Sequence, residues 1–288
     1  MRFSLAETMC DPKQYPALAK AAEAAGFHAY TLPDSIAYPE VSDSKYPYTP
    51  DGHRGFLEDK PFIDPFSLIP ALGAVTEKLR FHTFVVKLAI RHPVLVAKQA
   101  MSVAVLTDNR FSLGVGLSPW PEDFRITGVP WEGRGKRMDE MMQIIRGLSR
   151  GGYFAFDGKH FSVEAIKMCP VPSAPLPLLV GGHSDAALAR AAHLGDGWMH
   201  AGGDGEEMKQ LIEKVRELRR DSPRAGEPFE IHVISAEAYS LDGVRRLEDL
   251  GVTDAIVGFR KAYLVDRMPL EKKLAAIAQY GESIIARG

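Results

Sequence analysis

Eight apolar, strand-like segments alternate with helix-like segments along the 288-residue chain, and this alternation limits the choice of fold more than any other feature. The alternation begins with residues 2–8 and 27–32, continues through a third strand at 79–88 and ends with 255–259. Strands alternating with helices form parallel sheets in α/β proteins, and eight such units favour closure into a (β/α)8 TIM barrel. A doubly wound open sheet is the main rival, but no Gly-x-Gly-x-x-Gly follows the first strand. Because no change in composition marks a linker, we expect one domain over residues 1–288.

The composition and charge of the chain limit what it can bind. A hydrophobic content of 45% is ample for one large core, and a formal net charge of −2 gives no basic field for nucleic acid or an anionic membrane. The two cysteines, Cys10 and Cys169, lie far apart and do not resemble a disulfide framework. We find no signal peptide and no apolar run of transmembrane length. We therefore expect a cytoplasmic protein that acts on a small molecule and binds neither nucleic acid nor membrane.

Two long irregular segments interrupt the alternation, residues 35–62 after the second strand and 118–135 after the fourth. A short hairpin is predicted within 151–175, before the fifth strand. Loops that follow strands of a TIM barrel carry its chemistry, and loops this long are usually functional or disordered. We expect these two to cover the barrel mouth with aromatic side chains that suit a flat, largely apolar ligand: Tyr38, Tyr46, Tyr48, His53, Trp120, Phe124 and Trp131. Glu122 and Asp123, in the second loop, could be simply solvated.

The turn after the fifth strand has the pattern of an anion-binding site. An apolar run at 176–180 leads into Gly181 and Gly182, and Ser184 is a good N-cap for the helix that follows. Gly195 stands where a C′ glycine would end that helix. A strand, a glycine turn and a capped helix direct free backbone N–H groups at one point, and phosphate is the usual ligand there. The alternative is an ordinary βα turn whose glycines serve only the backbone shape.

Other motifs give weaker signals. Gly114–Val115–Gly116 on the fourth strand lacks the third glycine of a dinucleotide fingerprint, and it indicates a strand end where a ligand or backbone comes close. His200, near the end of the sixth strand, is either a pocket residue or a structural histidine. HExxH and CxxC are absent, and the first strand carries Glu7 without His-x-His. A metal hydrolase is therefore not expected, and we assign no metal ligands.

Six motifs in order resemble the bacterial luciferase-like superfamily. They are Arg91-His-Pro, Asn109-Arg-Phe-Ser-Leu-Gly-Val-Gly, Glu122-Asp-Phe, Arg134-Gly-Lys-Arg-Met-Asp-Glu, Leu179-Val-Gly-Gly-His-Ser and Gly195-Asp-Gly-Trp. Each motif alone is weak, but the ordered set is specific. Within the superfamily the chain is most similar to actinobacterial oxidoreductases that use the deazaflavin coenzyme F420, and FMN-dependent monooxygenases share the layout. The resemblance implies a TIM barrel with an insertion hairpin at 151–175.

The resemblance also implies a set of cofactor-binding residues. The cofactor phosphate would lie on the glycine turn, and a non-prolyl cis peptide in the third strand, placed at Phe84–Val85, would press against the tricyclic ring. Asp34, at the end of the second strand, would face that ring or its ribityl chain. The complete implied set is Asp34, Thr83, Phe84, Val85, Gly116, Val180, Gly181, Gly182, His183 and Ser184.

The chain departs from the sugar-phosphate dehydrogenases of this superfamily. Ser35 stands where they carry a histidine, Ser118 begins a Ser-Pro-Trp where they carry a glutamate, and their phosphate-binding lysine is replaced near Asp204. Glucose-6-phosphate oxidation is therefore not expected, and the proton donor or acceptor must come from elsewhere. The candidates are His200, Tyr38 and Glu7.

The sequence therefore predicts an F420-dependent oxidoreductase, expected to be a homodimer. It would transfer a hydride between C5 of the deazaflavin and a small, apolar or aromatic substrate. An FMN-dependent monooxygenase is the nearest alternative, and a barrel that binds flavin or deazaflavin without turnover is another.

Overall fold

Parallel strands close into a barrel in the computed structural model, which describes residues 1–42, 44–46, 52–261 and 264–288; Tyr48 lies outside them. The strands pair in the order β3 (Arg80–Thr83), β2 (Ala29–Leu32), β1 (Arg2–Leu5), β11 (Asp254–Val257), β10 (Glu230–Val233), β9 (Gly197–Met199), β8 (Leu178–Gly181), β5 (Phe111–Gly116) and β4 (Val86–Lys87). Because β3 also pairs with β5, the sheet has no open edge. The third barrel strand is split into β3 and β4, which leaves eight barrel strands. The predicted (β/α)8 barrel is confirmed, and the open-sheet rival is excluded.

The bounds of the elements follow the predicted alternation. The strands are β1 (Arg2–Leu5), β2 (Ala29–Leu32), β3 (Arg80–Thr83), β4 (Val86–Lys87), β5 (Phe111–Gly116), β6 (Phe154–Asp157), β7 (Ser162–Ile166), β8 (Leu178–Gly181), β9 (Gly197–Met199), β10 (Glu230–Val233) and β11 (Asp254–Val257). The α-helices are α1 (Tyr15–Ala24), α2 (Pro65–Gly73), α3 (Pro93–Leu106), α4 (Pro121–Thr127), α5 (Arg134–Ser149), α6 (Asp185–Leu194), α7 (Gly205–Arg220), α8 (Leu241–Asp249) and α9 (Leu270–Tyr280). The antiparallel pair β6–β7 is the predicted hairpin.

Local sequence explains where several helices begin. Asp64 accepts hydrogen bonds from the amides of Phe66 and Ser67 at the start of α2, and Pro93 is the first residue of α3. The last helix, α9, ends at Tyr280 and continues as a π-helical turn over residues 281–285. No helix within the described ranges is both long enough and apolar enough to cross a bilayer.

Two expected details differ in the structure. The third strand is not continuous over 79–88, because a cis peptide bond between Phe84 and Val85 interrupts it. Gly195 is not a left-handed C′ glycine, since its φ is −86°. Glycine is needed there for space instead, because a Cβ would lie 2.8 Å from the carbonyl oxygen of Ala191.

The barrel interior has an apolar layer toward the mouth and a polar layer beneath it. Alternate side chains of a strand face opposite sides. Leu179, Met199 and Ile256 therefore form an interior cluster separate from the large core between strands and helices. Two residues earlier on β11 lies Asp254, in register with His232 of β10. His82 of β3 completes this buried polar group, and burial lowers its pKa to about 3, so that its imidazole is neutral.

Candidate active site at the barrel mouth

The turn between β8 and α6 is built as a helix-capping glycine turn. Gly182 has a φ of +123°, and a Cβ there would lie 2.9 Å from the Cβ of Ala187, so the position requires glycine. Ser184 caps α6, accepting a hydrogen bond from the amide of Ala187 at 3.3 Å. The first amides of a helix have no intrahelical acceptor, and the helix dipole makes this end positive. The turn can therefore hold a phosphate, as the sequence predicts.

A pair of stacked imidazoles supports this turn from β9. The rings of His183 and His200 lie 4.6 Å apart at an interplanar angle of 6°. Trp198 donates its indole N–H to the carbonyl of Gly182 at 2.8 Å, and His183 Nε2 accepts the amide of Ala201 at 3.0 Å. These contacts fix the glycine turn to the end of β9.

His200 is fully buried, and its ring is neutral. Burial, with a smaller contribution from His183, lowers the pKa of His200 to about 4. Its Nδ1 accepts the amide of Gly202 at 3.3 Å, which places the proton on Nε2. That Nε2–H makes no close hydrogen bond to a described residue, although the backbone of Ile234 lies near enough to raise the pKa of the ring. His200 is therefore a buried donor near the barrel mouth without a close protein partner.

The interrupted third strand lies against the ends of β5 and β8. The cis peptide stands at Phe84–Val85, where the resemblance places it. A Cβ on Gly116 would lie 2.8 Å from a methyl of Val85, and one on Gly181 would lie 3.0 Å from its other methyl. These two glycines make room for Val85, which joins the bulge to the residues that lead into the glycine turn.

Gly114 has an even stricter reason to be glycine. A Cβ there would lie 1.9 Å from the carbonyl oxygen of Thr83, whose hydroxyl also donates to the carbonyl of Gly114 at 2.7 Å. The prediction that a backbone segment comes close to this strand is confirmed, and the close segment is the start of the bulge.

Asp34 holds the far side of the bulge. Its carboxylate is bound at 2.8 Å by the guanidinium of Arg91 and accepts the amide of Lys87 at 2.9 Å. The side chain is nearly fully buried. In the protein alone, Asp34 therefore fixes the end of β2 to β4 and to the start of α3; its predicted contact with a cofactor stays a prediction.

Glu7 is the most tightly paired of the three proton-transfer candidates. Its carboxylate pairs with the Arg260 guanidinium and accepts the amide of Phe259 at 3.2 Å, and it has no exposed surface. This arrangement suits a group that joins the ends of β1 and β11. A catalytic role for Glu7 stays a prediction, and the pairing favours a positioning role.

The second mouth loop is attached to the bulge by buried charges, so the alternative that Glu122 and Asp123 are simply solvated is excluded. Asp123 pairs with the ammonium group of Lys87 at 2.7 Å and accepts a hydrogen bond from Ser118. Both acidic side chains are only 4% exposed. Both residues lie in the first turn of the short helix α4, and this turn faces the interior because cations from other elements lie beneath it.

Glu122 makes the corresponding link to the first loop. Its carboxylate accepts the hydroxyls of Ser42 and Ser44 and lies 3.6 Å from the buried guanidinium of Arg54. The hydroxyl bonds and Arg54 lower the pKa of Glu122 despite burial, so this carboxylate is charged. Sequence reasoning missed Lys87 and Arg54; an acidic pair among aromatic residues was the signal that partner cations were needed.

A cavity of about 140 Å³ lies between the two loops. Tyr38, a proton-transfer candidate, lines it, and Arg54 lies 5.9 Å from the Tyr38 ring and 4.3 Å from that of Trp120. Trp120 stacks on Tyr46 at 5.4 Å, whereas Phe124 is buried against Trp131. The lining therefore mixes aromatic with charged side chains, which include Lys60, Glu58, Glu122 and Asp123.

The fold and the mouth together define a luciferase-like TIM barrel, with a hairpin before the fifth barrel strand and a cis peptide in the third. The model of the luciferase-like monooxygenase family matches residues 4–257. The chain belongs to this family.

Relatives include proteins with and without an assigned activity. An uncharacterised protein of Mycobacterium tuberculosis is 57% identical to this chain over 289 residues, and the match covers 100% of both proteins. The F420-dependent glucose-6-phosphate dehydrogenase of Gordonia bronchialis is 27% identical over 256 residues, covering 86% of this chain and 70% of its own.

Solved structures share the fold at lower identity. The monooxygenase RslO1 from Streptomyces bottropensis superposes with a TM-score of 0.78 at 17% identity, covering 100% of this chain and 99% of its own. The F420-dependent tetrahydromethanopterin reductase of Methanopyrus kandleri gives 0.74 at 14% identity, with 99% of each chain covered. The fold is thus shared with a monooxygenase and with an F420-dependent reductase.

Proposed function

We propose that this protein is an F420-dependent oxidoreductase acting on a small organic substrate at the barrel mouth. The observation that carries the proposal is the contact between the bulge and the strand end that leads into the glycine turn, where Val85 packs on Gly116 and Gly181. The resemblance to F420-using oxidoreductases and the relative in Gordonia bronchialis favour F420 over FMN.

The residues present fit a phosphate-bearing, ring-containing cofactor. Gly182 leaves open a position that a side chain would fill, and Ser184 directs the start of α6 toward the same turn. Phe84 and Val85 would support the ring from the bulge. When bound, F420 supplies the redox chemistry, a hydride given or taken at C5 of the deazaflavin.

The chain itself would orient the substrate, exclude water and handle one proton. The Lys87–Asp123 pair joins the second loop to the barrel, and the Arg54–Glu122 pair joins the second loop to the first, so Tyr38 and Trp120 are held over the mouth. His200, whose Nε2–H makes no close hydrogen bond within the described chain, would donate to an oxygen of the bound ligand. Tyr38 is the second candidate, because it lines the cavity.

Spectroscopic titration tests the proposal. Purified protein should quench F420 fluorescence and saturate, and should bind FMN more weakly by at least about tenfold. Tight FMN binding without F420 binding would replace the proposal with the FMN-dependent monooxygenase that the family description also allows.

Turnover separates an enzyme from a binding protein. Reduced and oxidised F420 are each offered with a panel of ketones, alcohols and conjugated carbonyl compounds, and we expect absorbance changes with at least one. Binding of F420 without turnover in either direction would favour the alternative hypothesis, a protein that binds the cofactor but catalyses no reaction. His200→Gln, which keeps an N–H donor, should lose less kcat than His200→Ala while both retain F420 affinity.

A further inference from the structure

A second polar site lies inside the barrel, beneath the apolar layer and away from the mouth. It consists of His82 on β3, His232 on β10 and Asp254 on β11. One nitrogen of each ring and one carboxylate oxygen lie within 4.8 Å of one another, and the imidazole centroids are 5.2 Å apart. All three side chains are at most 2% exposed.

Within the described residues, four polar atoms of these three side chains lack a hydrogen-bond partner. Within the described chain, neither ring nitrogen of His82 has a hydrogen-bond partner, and the same holds for His232 Nδ1 and Asp254 Oδ1. Buried polar atoms without partners are rare in folded proteins, and several in one place indicate a missing ligand.

Neighbouring side chains hold the other polar atoms of His232 and Asp254, and His232 Nε2 lies 3.6 Å from Asp254 Oδ2. Glu230 lies 2.8 Å from His232 Nε2, so a neutral His232 that donates to Glu230 carries its lone pair on Nδ1. Arg2 binds Asp254 Oδ2 at 2.6 Å, and Thr253 donates to the same oxygen at 2.8 Å, which leaves Oδ1 free. A histidine that binds a metal almost always donates its other N–H to a carboxylate or carbonyl group, as His232 does here.

We propose that His82, His232 and Asp254 bind one divalent transition-metal ion, with zinc as the representative. Two imidazoles and one carboxylate are a zinc-binding set, with bonds of about 2.0–2.2 Å, and a water molecule can take the fourth position. Ligand atoms on such an ion stand about 3.4 Å apart, so the present spacing closes by about 1 Å through side-chain rotation.

The position of the site assigns the ion a structural role. It would tie together β3, β10 and β11 from inside the barrel, where the ligands are closed off from bulk solvent. The Leu179–Met199–Ile256 layer separates it from the mouth, so it does not take part in the proposed oxidoreductase chemistry. The sequence gives no sign of it, because the three ligands come from distant strands and match no spacing motif.

Metal analysis of the full-length, tag-free protein tests the site. Cells are grown with added zinc, and the purified protein is dialysed against EDTA before elemental analysis. We expect about one zinc ion per chain in the native protein. His82→Gln and Asp254→Asn should lower that content by at least about tenfold. His193→Gln, the same exchange at an exposed position of α6, should keep the full content.

A second measurement covers variants that fail to fold. Crystals of the native protein, measured on both sides of the zinc absorption edge, should give an anomalous peak between the two imidazoles. A water molecule at that position would overturn the proposal, as would native protein with less than about a tenth of an ion per chain. Full zinc content in folded His82→Gln would overturn it as well.

Discussion

Replacing Gly182 with valine is the sharpest test of the glycine turn as the phosphate site. At a φ of +123°, a non-glycine residue costs about 1–3 kcal/mol. The added Cβ would also lie 2.9 Å from the Cβ of Ala187, well inside the ordinary carbon contact of about 3.5–4.0 Å. The turn is at the surface of the barrel mouth and can shift, so we expect it to move away from α6 rather than unfold the barrel.

The shift should remove cofactor affinity. A hydrogen bond to a charged group is worth about 1.5–3 kcal/mol, and a displaced turn would lose about two of them. The sum of about 3–6 kcal/mol corresponds to a loss of affinity of about 10²–10⁴-fold. The assay is F420 fluorescence quenching at constant salt, with far-UV circular dichroism recorded on the same samples.

A matched valine controls for the substitution itself. Gly226 lies between α7 and β10, and no heavy atom stands within 4 Å of a Cβ built there. Gly226→Val should bind F420 like the native protein. If Gly182→Val keeps a native circular dichroism spectrum and binds F420 within about threefold of the native protein, the phosphate assignment is refuted.

Three further predictions concern the groups around the mouth. Asp123→Ala leaves Lys87 buried without its carboxylate and should cost about 3–5 kcal/mol, seen as a lower calorimetric Tm; Lys87→Met added to it should restore part of that loss. Glu7→Gln leaves the buried guanidinium of Arg260 without the Glu7 carboxylate, so it should lower Tm. It should leave the pH profile of turnover unchanged, whereas a shifted profile would show that Glu7 carries the proton. The folded-state pKa of His200 is about 4, below its ordinary value of about 6.5, so its contribution to stability is complete above pH 6.5 and is lost as pH falls toward 4. His200→Gln should therefore lose less Tm than the native protein over this pH range. An equal fall in Tm for both proteins would contradict the prediction.

The barrel could be predicted from the sequence because its signals are local and repeated. Each strand is a short apolar run followed by a helical pattern, and closure needs only that the count reach eight. Ser184 as the cap of α6 and the close approach to Gly114 were predicted from single residues, because a cap and a strand glycine each have few physical explanations. The cis bond at Phe84–Val85 came from the family resemblance and not from any local pattern.

The charge pairs of the mouth could not be predicted in the same way. Asp123 and Glu122 read as surface residues, because their partners Lys87 and Arg54 lie 36 and 68 residues away in sequence. Pairing of this kind depends on how two loops fold over one strand end, which no periodicity records. Composition and net charge can be read from the sequence, but they carry no information about these contacts.

The two proposed sites divide the barrel interior, and this division makes their tests independent. The mouth holds the glycine turn at the start of α6 and the Nε2–H of His200, which suit an anionic or oxygen-bearing ligand. The lower layer holds the free nitrogens of His82 and His232 with a carboxylate oxygen, which suit a cation. An apolar layer that includes Met199 and Ile256 lies between them.

Loss of zinc in His82→Gln should therefore leave F420 affinity unchanged in folded protein, and Gly182→Val should leave the zinc content unchanged. If either variant altered both properties, the apolar layer would not insulate the sites, and the structural role assigned to the ion would fail.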